Sequence, residues 1–222
     1  MSTCCPVVEL RQYTLRPGQR DVLIELFDRE FVESQEAVGM ELIGQFRDLD
    51  RPDRFVWIRG FPDMERRRDA LAAFYGGPVW KAHAAAANAT MIDSDDVLLL
   101  RPVAPSAGFE PLPPRPAPGH DVRAAKFSVT ICSLDAPPDV ESLRRTLLPA
   151  LADAASPSLA TFVEEPSENT YPALPVRTGE HVVVWVQRVL DDDWPAPVDV
   201  GARLIAPPRQ LRLSPTARSR LR

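Results

Sequence analysis

The chain has 222 residues, 45% of them hydrophobic, a formal net charge of −5 and three cysteines, enough length for one large domain or two small ones with a real core. The acidic balance without a dense basic stripe excludes nucleic acid as a main partner, and the lack of an apolar run of about 18 residues excludes a membrane-spanning helix. Met1 to Pro6 has neither the basic segment nor the apolar core of a secretory signal, and Cys4, Cys5 and Cys132 form neither a disulfide framework nor a zinc site, so a cytoplasmic, reducing location is expected.

Val7 to Leu15 alternates as a strand, with Val8 and Leu10 on one face and Glu9, Arg11 and Tyr13 on the other. Leu23, Phe27 and Phe31, supported by Ile24, recur at helical spacing and predict an amphipathic helix from Gln19 to about Gln35. Gly39 stops it, and strands are expected at Leu42 to Asp48 and Phe55 to Gly60. Asp63 caps the next helix, which starts with the basic run Arg66-Arg67-Arg68, read as a solvated face. Tyr75-Gly76-Gly77 interrupts that helix, and Pro78 opens a further segment to about Thr90. Val97 to Leu100 then closes a β-α-β-β-α-α-β unit, the ferredoxin-like arrangement with a divided second helix.

Ala104 to Asp121 carries prolines at 105, 111, 113, 114, 116 and 118 without periodicity, and reads as an extended linker contributing little to the core. Lys126 to Cys132 alternates Phe127, Val129 and Ile131 against Lys126, Ser128 and Thr130. Asp139 caps a helix whose Val140, Leu143, Leu147 and Leu151 share a face, with Pro149 expected to kink it. Strands follow at Leu159 to Glu164, His181 to Val189 and Gln210 to Leu213, with too few residues before the last to repeat the second helix.

The two halves echo each other. Arg54-Phe55-Val56-Trp57-Ile58-Arg59 returns as Val182-Val183-Val184-Trp185-Val186-Gln187, and Leu100-Arg101-Pro102 as Leu213-Ser214-Pro215. The expected fold class is therefore α+β: two ferredoxin-like units, residues 6–103 and 123–216, joined by a linker at 104–122 and closed as a fused α/β barrel.

Giving the uniformly apolar strand faces to the helices sends Glu9, Arg11, Tyr13, Phe55, Trp57, Arg59, Lys126, Ser128, Thr130, Trp185 and Gln187 into the barrel lumen. Aromatic walls with a few polar groups suit a small-molecule ligand. In that site Arg11 or Lys126 would stabilise a developing enolate or phenolate, Glu9 or Tyr13 would move a proton, and the others would bind. The loop from Pro166 to Gly179 is long enough to cover one mouth of the barrel, with Asn169 and Arg177 as its contacts. No metal-ligand spacing, phosphate loop or Ser-His-Asp order is present, and no cofactor is expected, since neither His83, His120 nor His181 falls in the lumen set to hold a haem. A non-catalytic binding or interaction protein, with these charges neutralising one another, is the alternative.

Glu9-Leu10-Arg11-Gln12-Tyr13-Thr14-Leu15 with Pro17-Gly18, then Gly44-Gln45-Phe46, Trp57 and Pro78-Val79-Trp80, resemble the NIPSNAP family. Asn169-Thr170-Tyr171-Pro172-Ala173-Leu174-Pro175-Val176-Arg177 and the tail from Leu213 to Ser219 resemble its two-repeat bacterial members, departing at Thr178, where an acidic residue is expected. The resemblance implies the dimeric α/β-barrel superfamily, here with both units in one chain, and is compatible with a homodimer. That superfamily includes cofactor-free monooxygenases, polyketide cyclases, lactone isomerases and haem enzymes. What it implies is a small aromatic or polyketide-like ligand of secondary metabolism, with cofactor-independent oxygenase, cyclase or isomerase chemistry and no inherited catalytic signature.

Overall fold

A strand covered by protein on both faces is buried at nearly every position, and β1 (Val7–Leu15) and β3 (Arg54–Phe61) are of this kind. The computed structural model describes residues 4–119, 125–190 and 193–222. The first repeat also holds β2 (Glu41–Asp48) and β4 (Met91–Pro102); the second holds β5 (Lys126–Leu134), β6 (Ser158–Glu164), β7 (His181–Val189) and β8 (Arg209–Pro215). All eight pair antiparallel and close a barrel in the order β1-β3-β2-β8-β5-β7-β6-β4. Each repeat thus supplies four adjacent strands. At one seam Phe46 faces Pro215 and Asp48 faces Leu213; at the other Phe162 faces Pro102 and Glu164 faces Leu100. The Leu-x-Pro echo marks the two strands that join the halves.

The first repeat's helices are α1 (Arg20–Leu26), a single π-helical turn (Phe27–Phe31), α2 (Val32–Glu36), α3 (Met64–Tyr75) and α4 (Pro78–Thr90). Asp63 caps α3 by accepting from the Arg66 N–H at 2.6 Å, and Pro78 sits in the first turn of α4. Gly39, at φ +92°, turns the chain from α2 into β2. The second repeat keeps α5 (Val140–Ala152), capped by Asp139, and Pro149 is accommodated within it. Among the described residues between β7 and β8 there is no helix. β4 begins six residues before Val97. Its acidic first half lacks alternation, and pairing with β1, not burial, holds it extended.

The lumen is the apolar compartment, the reverse of the expected assignment. Val8, Leu10, Phe46, Val56, Ile58, Leu98, Leu100, Phe127, Val129, Phe162, Val184 and Leu211, from all eight strands, form one buried core. An eight-stranded barrel is just wide enough for its inward side chains to fill, which leaves neither water nor partners for a guanidinium. The outer faces lie under helices and loops, where polar atoms are available to answer a charge.

One end of the lumen is plugged from outside the sheet by Cys5, Phe109 and Leu221. Phe109 is 2% exposed and its ring lies 5.5 Å from that of Phe162. The segment joining the repeats is therefore packed, not loose. The Ala107 carbonyl accepts from Thr161 N–H at 2.7 Å, and the Arg115 guanidinium pairs with Glu36 and donates to the Leu42 carbonyl. Residues 120–122 of the expected linker lie outside the described residues. Cys5 approaches so closely that a Cβ on Gly60 would sit 2.4 Å from its Cβ and Sγ, so only glycine fits there. Among the described residues no helix is long and apolar enough to cross a membrane.

Candidate functional site

β1 and β3 pair with Glu9 opposite Arg59 and Arg11 opposite Trp57. Strand alternation carries these four, with Tyr13 and Phe55, to the outer face beneath α1–α4. α3 adds Arg67, which shares its buried face with Ala70, Leu71 and Phe74 while Arg66 and Arg68 point outward. Glu9 is the hub: Oε2 accepts from Arg11 Nη1 and Arg59 Nε, and Oε1 from Arg67 Nε, each at 2.7 Å. All four side chains are at most 1% exposed.

Burial alone would raise the Glu9 carboxyl, but the guanidiniums of Arg59, Arg11 and Arg67 outweigh it and hold the group well below the usual carboxylate range. Burial raises the Tyr13 phenol above its ordinary value. Burial likewise lowers Arg67, against the pull of Glu9. With one carboxylate to three guanidiniums among the described residues, the layer carries two uncompensated positive charges out of contact with water. Arg67 Nη2 and Trp57 Nε1 are buried without a hydrogen-bond partner among the described residues.

Aromatic rings complete the layer. Arg11 and Arg59 lie 5.4 and 5.0 Å from the Trp57 ring, and Tyr13 and Phe27 pack edge-on to it at 5.8 and 5.0 Å. The π turn lets Phe27 meet Trp57 while Phe31 reaches Phe74 and Trp80. Such turns recur at functional sites. Arg11 Nε donates to the Tyr13 hydroxyl at 3.1 Å, and Arg59 Nη1 to Gln35 Oε1 at 3.2 Å.

The loop between β6 and β7 closes over this layer from the other repeat. Asn169 Oδ1 and Thr170 Oγ1 accept from Arg67 Nη1 at 3.0 and 3.3 Å, and Tyr171 stacks on Tyr75. The loop therefore reaches the first repeat's outer face as well as the barrel mouth. Arg177 stays at the mouth, donating to Asp96 at 3.0 Å and pairing with Glu180.

The expected site residues thus separate. Glu9, Arg11, Tyr13, Phe55, Trp57 and Arg59 come together and Asn169 joins them, although outside the barrel; Arg177 does not. Lys126, Ser128, Trp185 and Gln187 lie on the outer face of the second repeat. There Thr130 faces Trp185 and Ser128 faces Gln187 as Arg11 faces Trp57 and Glu9 faces Arg59. At these matching positions the second repeat carries neutral residues, and Trp185 Nε1 donates to Gln187 Oε1 at 3.1 Å. Arg67 escaped the sequence reading because it sits in a basic run; its register with Ala70, Leu71 and Phe74 is the signal that finds it. Among the described residues no group of three or more metal-type ligands occurs.

Residues 8–107 match the NIPSNAP family model. A NIPSNAP-like domain protein from Burkholderia xenovorans is 28% identical, aligning over 51% of this chain and 97% of its own with a TM-score of 0.42. Candidate monooxygenases from Lactobacillus acidophilus and Fusobacterium nucleatum are 12% and 9% identical, with TM-scores of 0.57 and 0.52. Each aligns with 95% of this chain and with 94% or 92% of its own, so the likeness in fold extends over both repeats. No curated protein matches the sequence. Residues 8–107 of this chain are thus similar to the NIPSNAP domain, and they are built into a closed α/β barrel with a second repeat.

Proposed function

We propose that the protein takes a small aromatic or polyketide-like metabolite, anionic or becoming so as an enolate or phenolate, at the arginine layer of the first repeat, and acts on it without a cofactor. The observation that carries this reading is the buried excess of two positive charges among the described residues of the first repeat: in the second repeat Ser128, Thr130 and Gln187 stand where Glu9, Arg11 and Arg59 do, and the helix that carries Arg67 has no described counterpart. The fold itself does not require these charges, so they are a place for an anion. The aromatic rings around Trp57 favour a flat ligand.

The acid–base roles follow from the electrostatics. Glu9, held ionised by three guanidiniums, is a poor base; it organises the arginines. Tyr13, kept protonated by burial, is the group suited to donate a proton, while Arg11 and Arg67 stabilise the anion. Entry would require the 166–179 loop to lift from Arg67, the motion by which lids commonly gate such sites.

Titration calorimetry with salicylate and 2-naphthoate tests the reading. Arg11→Met leaves Glu9 paired with two arginines and should weaken binding by about 1–3 kcal/mol, the scale of one charge-assisted hydrogen bond. Lys126→Ala, on the other repeat, should bind as the parent does. Absence of binding, or equal affinity in the Arg11 variant, would favour the non-catalytic interaction protein instead.

A further inference from the structure

The β6–β7 connection does more than cover the arginine layer. Its two ends, residues 165–169 and 176–180, wall a cleft of about 390 Å³ at the barrel mouth. Its apolar side is Leu98, Leu99, Val176 and Val182, and its polar side includes Glu164 and His181. His181 Nδ1 and Glu164 Oε1 are 3.0 Å apart, and the other carboxylate oxygen accepts the Val182 N–H at 3.1 Å. Held at both oxygens, the carboxylate orients the ring: it can accept from an Nδ1–H, and in that neutral tautomer Nε2 carries the lone pair.

The repeat supplies a control for this geometry. The matching connection in the first repeat is only residues 49–53, and there the counterparts of Glu164 and His181 are Asp48 and Asp53. Both aspartates tie down backbone: Asp48 accepts from the N–H groups of Asp50 and Arg51, and Asp53 from that of Gly18. A β2–β3-type connection closes with two aspartates and no imidazole. In the second repeat the loop is longer, a cleft opens, and a carboxylate-oriented histidine stands in its wall.

The remaining charges indicate what the cleft accepts. Glu165, Glu168 and Glu180 also line it, while Arg177, its one guanidinium among the described lining residues, is engaged by Glu180 and Asp96. That acidic rim opposes an anion, unlike the arginine layer. An uncharged molecule with an apolar body suits it.

We propose that His181 is a general base, positioned by Glu164, that removes a carbon-bound proton from an uncharged small molecule held in this cleft. The C–H bond breaks, the proton moves to Nε2, and its electron pair either stays on the substrate as an enolate or forms a new π bond while the bond to a leaving oxygen breaks and that oxygen takes the bonding pair; no oxidant or reductant is needed. This goes beyond the function proposed above and requires neither the arginine layer nor its ligand.

The probe is 5-nitrobenzisoxazole, an uncharged aromatic whose ring opens when a base takes its single C3 proton, breaking the N–O bond to release a coloured phenolate. The intact protein should open it faster than imidazole at equal concentration. His181→Gln, which retains a hydrogen bond to Glu164, should reduce kcat by about a hundredfold or more, the low end of what a positioned base contributes. Glu164→Gln should lower kcat with KM unchanged, whereas a collapsed cleft would raise KM. His83→Ala removes a histidine that likewise neighbours a carboxylate, Glu30 at 3.4 Å, but sits in the helical layer, and should react as the parent does. A parent rate no greater than that of imidazole, or a folded His181→Gln variant with the parent's kcat, would overturn the proposal and leave the pair as a structural contact. A Glu164→Gln variant that matches the parent would remove the positioning role.

Discussion

Glu9 and Arg59 face each other across β1 and β3 with their side chains 2.7 Å apart and no exposure to solvent, and the same carboxylate also holds Arg11 and Arg67. One carboxylate therefore keeps three guanidiniums in a dry layer, and its removal is a different event from the loss of any single arginine.

Glu9→Gln should destabilise the fold by about 3–5 kcal/mol, the range for stranding a buried charge without its partner. Its pH signature follows from the depressed carboxyl: the stabilisation is complete above the unfolded glutamate pKa of about 4.3 and is lost as pH falls toward the much lower folded value. Urea unfolding between about pH 5 and 2 should show a steep fall in the parent that is missing in the variant. Matching slopes would mean that Glu9 is not ionised in the fold.

Asp28, on the π turn, has the opposite sign. Burial raises its carboxyl to about 6 against the opposing pull of Arg218, and its Oδ1 has no hydrogen-bond partner among the described residues. A raised carboxyl favours the fold below the unfolded aspartate value and loses that contribution as pH rises through 6. Asp28→Asn should therefore stabilise the protein at pH 7.5 by about 1–3 kcal/mol and flatten its stability between pH 4 and 6. Thermal melts across that range give the comparison; a destabilised variant at pH 7.5 would show that the charge has a favourable partner.

Phe109 anchors the proline-rich segment in the barrel end. Phe109→Ala should cost about 3–5 kcal/mol, the usual range for emptying a buried phenylalanine site. Residues 104–119 should resist a broad-specificity protease in the parent and become its early target in the variant, read by mass spectrometry of the first fragments. Early cleavage there in the parent would show that the plug is open in solution.

Much of this architecture was legible along the chain. The α+β class, the duplicated Trp57 and Trp185 strands, the Leu-x-Pro closing strands, the caps at Asp63 and Asp139 and the missing second helix are all local signals. Each depends on periodicity, a turn residue or a spacing, and the chain states these directly. The grouping of Glu9, Arg11, Tyr13, Phe55, Trp57 and Arg59 was legible for the same reason, because alternation alone assigns residues to a common face.

Which side of the sheet that face lies on was decided only by closure. Val8 and Leu10 are as apolar as a helix-packed face and as apolar as a lumen; only the eight-strand circumference, too narrow for water, makes the inward side the dry one. Tertiary structure also brought Arg67 from a basic run into the charged layer, Phe109 from a proline-rich linker into the core, and His181 beside Glu164 across the β6–β7 loop. In each case the sequence by itself determined the element and the face a residue occupies, while the partner came from a segment distant in the chain. Burial energy and charge pairing act on the assembled neighbours, and those neighbours exist only once the barrel has closed.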